Sequence, residues 1–326
     1  MSLRLRDYEY QLPGELIATR PPAARDESRM MVLHREEQRI EHNRFSNLPN
    51  FIAPGDLLVL NNTKVVAARH FSEDGAIELL FLERIDGSRW RSLVCPGRKM
   101  RVGATTRVRG TDVRVEATEP DGVRIIAAAS DTDFFEGGMM PTPPYLGRQS
   151  DAEDILRYQT VFAETPGALA APTAGLHFTK AMLSKLPHAF VTLHVGTGTF
   201  RPVQTENIAD HQMHAERFSI SASSAEVINN SQKVIAVGTT SVRVLESARR
   251  ANGKLAEQSG ETSIFIHPPY EFSAVDALLT NFHLPHSTLL MLVSAFAGRE
   301  FVLSAYQEAI REKYRFYSYG DCMLIL

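Results

Sequence analysis

Cysteine is nearly missing from this chain: Cys95 and Cys322 are the only two in 326 residues. They lie far apart and make no C-x-x-C pair, so neither a disulfide framework nor a cysteine-held zinc site is expected, and a reducing cytoplasm suits the chain. Long apolar runs are missing too. The longest covers 289–293 and continues through Ser294 to Ala297, which is too short for a bilayer, and Met1-Ser-Leu-Arg-Leu-Arg-Asp7 lacks a signal-peptide core. A soluble protein with no membrane partner is the expectation. Nor is there an excess of one charge: the net value of −3 excludes a polycation that coats nucleic acid indiscriminately. With 44% hydrophobic and 22% charged residues the chain has the makings of a folded core, and disorder is not expected.

Several familiar catalytic signatures are absent as well. No G-x-S-x-G elbow occurs, so a serine hydrolase is unsupported. Gly196-Thr-Gly198 follows an apolar run, but Arg201-Pro202 stands where a dinucleotide loop needs its third glycine and a helix, and there is no G-x-x-x-x-G-K-[ST] loop.

What the chain does have is concentrated in its second half. Ala171-Pro-Thr-Ala-Gly-Leu-His-Phe178, Leu193-His-Val-Gly-Thr-Gly-Thr-Phe200, Asp210-His-Gln-Met-His-Ala-Glu216 and Thr280-Asn-Phe-His-Leu-Pro-His-Ser-Thr288 gather six of the eleven histidines. Each joins apolar residues to a loop rich in Gly, Thr, Asn or Pro, where an α/β scaffold offers side chains and free N–H groups to a ligand. His177, His194 and His283 stand at strand-to-loop passages, where a near-neutral imidazole suits proton transfer; a structural role is the alternative for each. Val237-Gly-Thr-Thr-Ser-Val-Arg243 reads as strand, turn and helix entrance, which aims N–H groups and hydroxyls at a carboxylate or phosphate, or simply caps the helix. His211 and His214, with Glu216 close by, invite a metal reading, but they lack H-E-x-x-H spacing, and positioning a substrate is the competing role.

Texture divides the chain. Residues 67–145 carry five short strands (76–83, 90–94, 105–109, 113–117 and 123–128) separated by Asp-Gly, Pro-Gly and Arg-Gly turns, which predicts a small inserted β-barrel. Residues 1–66 and 146–326 alternate strands with helices, the helices falling near 179–186, 223–232, 242–251, just after Ser287, and 305–313, and predict one α/β body with a mixed sheet. Between Arg84 and Arg124 stand ten Lys or Arg against five acids, either a solvated strand face or a polyanion contact.

Taken together, Asn61-Asn-Thr-Lys-Val65, Arg157-Tyr-Gln-Thr-Val161, the histidine segments above, Ala236-Val-Gly-Thr-Thr-Ser-Val-Arg243, Leu279-Thr-Asn-Phe-His-Leu-Pro285, Ser287-Thr-Leu-Leu-Met291 and Tyr317-Ser-Tyr-Gly-Asp321 closely resemble the S-adenosylmethionine:tRNA ribosyltransferase-isomerases of queuosine biosynthesis. The likeness runs from Tyr8 to the last residue and is weakest in the insertion. It implies an α/β body with an inserted β-barrel. It also implies transfer and rearrangement of the ribosyl part of S-adenosylmethionine onto 7-aminomethyl-7-deazaguanine at the tRNA wobble position, giving epoxyqueuosine and releasing adenine and methionine. S-adenosylmethionine is then a co-substrate, with no retained cofactor and no metal, and the partner is tRNA.

Under that resemblance His177, His194 and His283 are the catalytic candidates. Asn62, Thr173, Gly175, Gly196, Gly198, His211, His214, Thr239, Thr240, Ser241, Arg243 and Asn281 are the substrate-binding candidates, the helix entrance and Arg243 being expected to hold the methionine carboxylate. Arg98, Lys99 and Arg101 are expected to contact tRNA phosphates. A monomer is expected. Two rival classes are a metal-dependent hydrolase built on His211 and His214 and a non-catalytic RNA-binding protein.

Overall fold

The computed structural model describes residues 3–128, 132–196, 203–248 and 253–326. It separates into two units: Met1–Lys64, Pro144–Gly147 and Arg157–Leu326 form one, and Val65–Pro143 with Arg148–Leu156 the other.

The larger unit is built on a nine-stranded mixed sheet. Its strands are β1 (Arg29–His34), β2 (Arg39–Arg44), β3 (Asp56–Asn61), β12 (His188–Leu193), β13 (Glu216–Ile220), β14 (Lys233–Val237), β15 (Gln258–Thr262), β16 (Ala277–Asn281) and β17 (Cys322–Ile325). Two short strands, β4 (Thr63–Val65) and β11 (Thr165–Ala168), lie outside it. Across the sheet the order is β15-β13-β12-β3-β14-β16-β17-β1-β2. The central strands β12, β3, β14 and β16 are parallel, and β17 returns antiparallel to β16. Strands covered on both faces need apolar residues at successive positions, which explains Leu57-Leu-Val-Leu60 and Val234-Ile-Ala-Val237. Their alternation fills two different cores. Leu57, Val59, Val234, Ala236 and Leu278 join helix residues on one face, while Leu58, Leu60, Ile235, Val237 and Leu279 meet Phe45, Ala174 and Phe178 on the other.

The helices are α1 (Ala152–Arg157), α2 (Lys180–Leu183), α3 (Ala222–Asn230), α4 (Thr239–Ala248), α5 (Thr288–Ala297) and α6 (Arg299–Arg311). Ser287 caps α5 by accepting from the Leu290 N–H. Ser221, two residues before the expected start of the helix at 223, caps α3 by accepting from the Ser224 N–H. Helix α4 starts at Thr239, three residues ahead of the expected start, and α6 starts at Arg299, six ahead. Among the described residues no single helix is long and apolar enough to cross a membrane.

The second unit is a barrel-like antiparallel sheet of six strands: β5 (Arg69–Phe71), β6 (Glu78–Arg84), β7 (Arg89–Cys95), β8 (Thr105–Val108), β9 (Thr111–Thr118) and β10 (Arg124–Ala128), in the order β5-β6-β7-β10-β9-β8. Just past β5, the Glu73 N–H donates to the Arg107 carbonyl on β8 at 3.0 Å, which draws the two ends of the sheet together. Its interior holds Leu79, Phe81, Trp90, Val113, Val115 and Ile126, with Phe134 stacked on Phe81 at 4.0 Å between ring centroids. The sixth strand, β5, carries no sequence signal of its own, because it is three residues long and only its middle residue, His70, is buried.

Candidate active site

The parallel strands β12, β14 and β16 end on the same side of the sheet, the side on which α/β folds bind ligands. A cavity of about 290 Å³ opens there, walled by Thr173, Val195, Thr239, Thr240, Asn281 and His283 among others. Gly238 makes the turn from β14 into α4. Its φ of +86° is a left-handed conformation that side-chain-bearing residues rarely adopt. Because the turn is this tight, Gly238, Thr239 and Thr240 all line the cavity, so the N-terminal end of α4, with its free N–H groups, is directed at whatever binds. The Thr240 hydroxyl is buried without a partner. Ser241 faces inward and donates back to the Val237 carbonyl at 2.8 Å.

From β16, Thr280, Asn281 and His283 reach the same space. The His283 Nε2 meets the Thr280 hydroxyl at 2.8 Å, its backbone carbonyl accepts from the Tyr10 hydroxyl, and its N–H donates to Tyr306 Oη at 3.0 Å. Burial lowers its pKa to about 3, so the imidazole is neutral near pH 7. Tyr145 and Tyr317 complete the wall with ring centroids 4.2 Å apart, and the Tyr145 hydroxyl donates to Ser318. Burial pushes the Tyr145 phenol up to about 12. Neither tyrosine stands out when residues are read singly. Tyr317, at a φ of +73°, lies inside the Tyr317-Ser-Tyr-Gly-Asp321 segment, and that segment is the signal the sequence offers.

The other two candidate histidines stand elsewhere. His177, 3% exposed, lies behind Asn281 with Nδ1 3.0 Å from the Ser28 hydroxyl and Nε2 3.3 Å from the Asn281 amide nitrogen. Burial first, then the charges of Arg315 and Arg25, bring its pKa down to about 3. His194 follows β12. Val191, Leu193 and Val195 face the helix-side core, so His194 turns to the opposite face, where Nδ1 is 2.9 Å from the Thr63 hydroxyl. Its pKa is lowered by burial and by Arg217. Its ring fills the space beside Gly167, where a Cβ would come within 2.9 Å of it.

The remaining candidates divide in the same way. Thr173 lines the cavity, while Gly175 sits inside the turn Thr173–His177 because a Cβ there would come within 2.7 Å of the Phe162 ring. Asn62 is used up in the frame: its amide oxygen accepts from Thr192 Oγ1 at 2.7 Å and its nitrogen donates to Glu164 at 3.2 Å. The Gly196 N–H donates to Glu216 Oε1 at 2.8 Å, and Gly198 lies outside the described residues. Arg243 is 4% exposed and donates to Glu216 Oε2, and its Nε and second terminal nitrogen have no partner. Thus Glu216 serves the Gly196 turn and Arg243. His211 packs on Phe265 with its pKa lowered by burial and by His214, and neither lines the cavity. Among the described residues no three His, Cys, Asp or Glu side chains gather as a metal site would require. In the barrel-like unit Arg98, Lys99 and Arg101 are exposed; Lys99 reaches the Ala76 carbonyl at 3.5 Å.

Hydroxyls, an amide and a neutral imidazole around a helix N-terminus, at the carboxyl ends of parallel strands, make the ligand pocket of an α/β enzyme. The chain belongs to the family of queuosine biosynthesis proteins, whose model matches residues 5–325. It is 49% identical to the S-adenosylmethionine:tRNA ribosyltransferase-isomerase of Halothermothrix orenii over 99% of this chain and all of that one, and 48% identical to the enzyme of the same name from Moorella thermoacetica over the same shares. The crystal structure of the S-adenosylmethionine tRNA ribosyltransferase of Thermotoga maritima is similar to it with a TM-score of 0.57 and 39% identity, covering 98% of this chain and 100% of that one.

Proposed function

We propose that this protein transfers and isomerises the ribosyl moiety of S-adenosylmethionine onto 7-aminomethyl-7-deazaguanine at the tRNA wobble position, yielding epoxyqueuosine-tRNA, adenine and methionine. The observation that carries the reading is likeness along the whole chain to enzymes named for this transfer. It is favoured over a metal-dependent hydrolase and over a non-catalytic RNA-binding protein. S-adenosylmethionine is a co-substrate, with no retained cofactor, and the protein works as a cytoplasmic monomer without a membrane partner.

The sulfonium acidifies the adjoining ribose carbon, so the site needs a proton acceptor, help for the departing adenine and a pocket that keeps water out. Of the three candidate histidines only His283 lines the cavity, and its Nε2 is held by Thr280. We assign the proton transfer to His283, whose burial keeps it in the unprotonated form. The entrance of α4, with Thr239 and Thr240, receives the methionine carboxylate, since a helix N-terminus stabilises a negative charge. Arg98, Lys99 and Arg101 supply sequence-independent contacts to tRNA phosphates. The test is turnover of S-adenosylmethionine by the wild-type protein and by His283→Ala in the presence of the modified stem-loop. The wild type releases adenine, and the variant turns over about 10²- to 10⁴-fold more slowly, the range for a lost acid or base, at unchanged tRNA affinity. Equal turnover removes His283 from the proton transfer.

A further inference from the structure

Asn281 ends β16 in the cavity wall at 2% exposure. A carboxamide has a donating end and an accepting end, and which end faces which way follows from its partners. Three groups converge on the Asn281 nitrogen: the Tyr317 carbonyl at 3.1 Å, the Asp321 carbonyl at 3.4 Å and His177 Nε2 at 3.3 Å. Carbonyl oxygens only accept, so turning the amide over would set its oxygen against two others. The nitrogen therefore faces the wall. His177 Nε2, meeting a donor, carries no proton. Its proton sits on Nδ1 and is donated to the Ser28 hydroxyl at 3.0 Å, so both ring nitrogens are occupied. What remains is Asn281 Oδ1, buried and without a partner in a residue that lines the cavity. A buried acceptor left in this state is an invitation to a donor.

We propose that Asn281 Oδ1 reads a hydrogen-bond donor on the bound substrate, and that His177 is a positioning residue that joins the Tyr317 and Asp321 carbonyls in holding the amide in this sense. The ligand class is a nucleoside-type molecule that presents an N–H or O–H at this point. Of the groups on S-adenosylmethionine, the exocyclic amine, the ribose hydroxyls and the ammonium qualify, whereas the carboxylate is excluded from this end of the cavity. Through this chain of hydrogen bonds a histidine that does not line the cavity bears on its wall. His177 acts through Asn281, and Asn281 in turn ties down the carbonyl of Tyr317, which lines the same wall.

Two measurements on the full chain decide it; the second rests on the proposed function for its probe, and the first does not. Nitrogen-15 NMR of the imidazoles reports the His177 tautomer directly: a proton on Nδ1 at neutral pH is the expected result, and a proton on Nε2 or a doubly protonated ring overturns the proposal. Calorimetric titration with S-adenosylhomocysteine, which cannot react, then compares the wild type with His177→Phe, His177→Gln, Asn281→Ala and the double variant His177→Phe with Asn281→Ala. Loss of one neutral hydrogen bond weakens binding about tenfold. That loss is expected in full for Asn281→Ala and in part for His177→Phe, since two carbonyls still hold the amide, with no loss beyond that of Asn281→Ala in the double variant, because one acts through the other. Glutamine at 177, able to accept from Asn281 and donate to Ser28, restores binding and stands in should the phenylalanine variant fail to fold. Additive losses, or an Asn281→Ala variant that binds like the wild type, overturn the proposal. Adenosine and S-inosylhomocysteine, which lack the ammonium and the exocyclic amine respectively, identify the donor: the analogue that Asn281→Ala no longer penalises is the one missing it. If Asn281→Ala weakens all three ligands equally, a ribose hydroxyl is the donor, provided that 2′-deoxyadenosine or 3′-deoxyadenosine escapes the penalty; if neither escapes, Oδ1 reads no donor and the proposal is overturned. A wild-type protein that does not bind S-adenosylhomocysteine contradicts the proposed function, while the NMR result still decides the orientation of Asn281.

Discussion

At the scale of single residues, three histidines in similar sequence surroundings have three different surroundings in space. His283 stands at the cavity, His177 behind its wall and His194 on the opposite face of its strand. The sequence marks all three because each follows apolar residues and precedes a loop. What separates them is the parity of the strand in one case and, in another, a long-range bond to Ser28, 149 residues away in sequence, neither of which a local pattern carries. Burial of two neutral imidazoles also sets a pH dependence. Unfolded histidines take up a proton near pH 6.5, but His177 and His283 in the folded protein do so only near pH 3. Between those values the unfolded chain binds more protons, so stability falls as the pH drops through this window, by roughly 1 kcal/mol per pH unit for each histidine. Denaturant unfolding of the wild type and of His177→Gln at pH 7 and pH 5 checks this. The variant is expected to lose less stability on acidification, and equal losses would place the proton uptake elsewhere.

At the scale of elements, the turn into α4 makes the site. A helix beginning at Val242 would leave Thr239 and Thr240 in a loop, whereas beginning at Thr239 it directs its own N-terminal N–H groups at the cavity. Gly238 permits that early start. A Cβ added there meets nothing closer than 3.6 Å, so Gly238→Ala has no clash to relieve and bears only the backbone cost, about 1–2 kcal/mol. Thermal unfolding is expected to show that loss together with weaker S-adenosylmethionine binding; an unchanged midpoint would mean that the turn relaxes. The buried strands β3, β14 and β16 are legible as apolar runs. Strands β13 and β15 are not, for physical reasons. Gln258-Ser-Gly-Glu-Thr262 is an edge strand with four exposed residues and no alternation, and β13 puts Glu216 at an inward position, where it receives Arg243 in place of an apolar neighbour. Glu216, which breaks the pattern in β13, is also the residue that accepts from the Gly196 N–H.

At the scale of the whole molecule, the mixed sheet with an inserted barrel-like sheet can be read from the change of texture along the chain, since hairpin turns and βα alternation are local signals. The cavity cannot, because it joins Tyr145, Thr173, Gly238 and Tyr317, which stand far apart in the chain and meet only once it is folded. The net charge of −3 also hides the excess of basic residues in the insertion. Much of that excess is spent internally: Arg91 pairs with Glu119, Arg89 with Asp86, and Arg109 and Arg124 donate to backbone carbonyls. Arg98 and Arg101, proposed above as phosphate contacts, have no acidic partner among the described residues, and the neighbouring Lys99 reaches the Ala76 carbonyl. Charge reversal at Arg98 and Lys99 is expected to weaken tRNA binding and lower the slope of log affinity against log salt by about 1 for each phosphate no longer neutralised. An unchanged slope would place the tRNA elsewhere.

The transfer itself is tested by mass spectrometry of an anticodon stem-loop bearing 7-aminomethyl-7-deazaguanine after incubation with the protein and S-adenosylmethionine, with adenine and methionine followed in the same sample. Epoxyqueuosine is expected in the stem-loop, with both products released in step with it. An unmodified stem-loop and no adenine release, from folded protein that still binds S-adenosylmethionine, would contradict it.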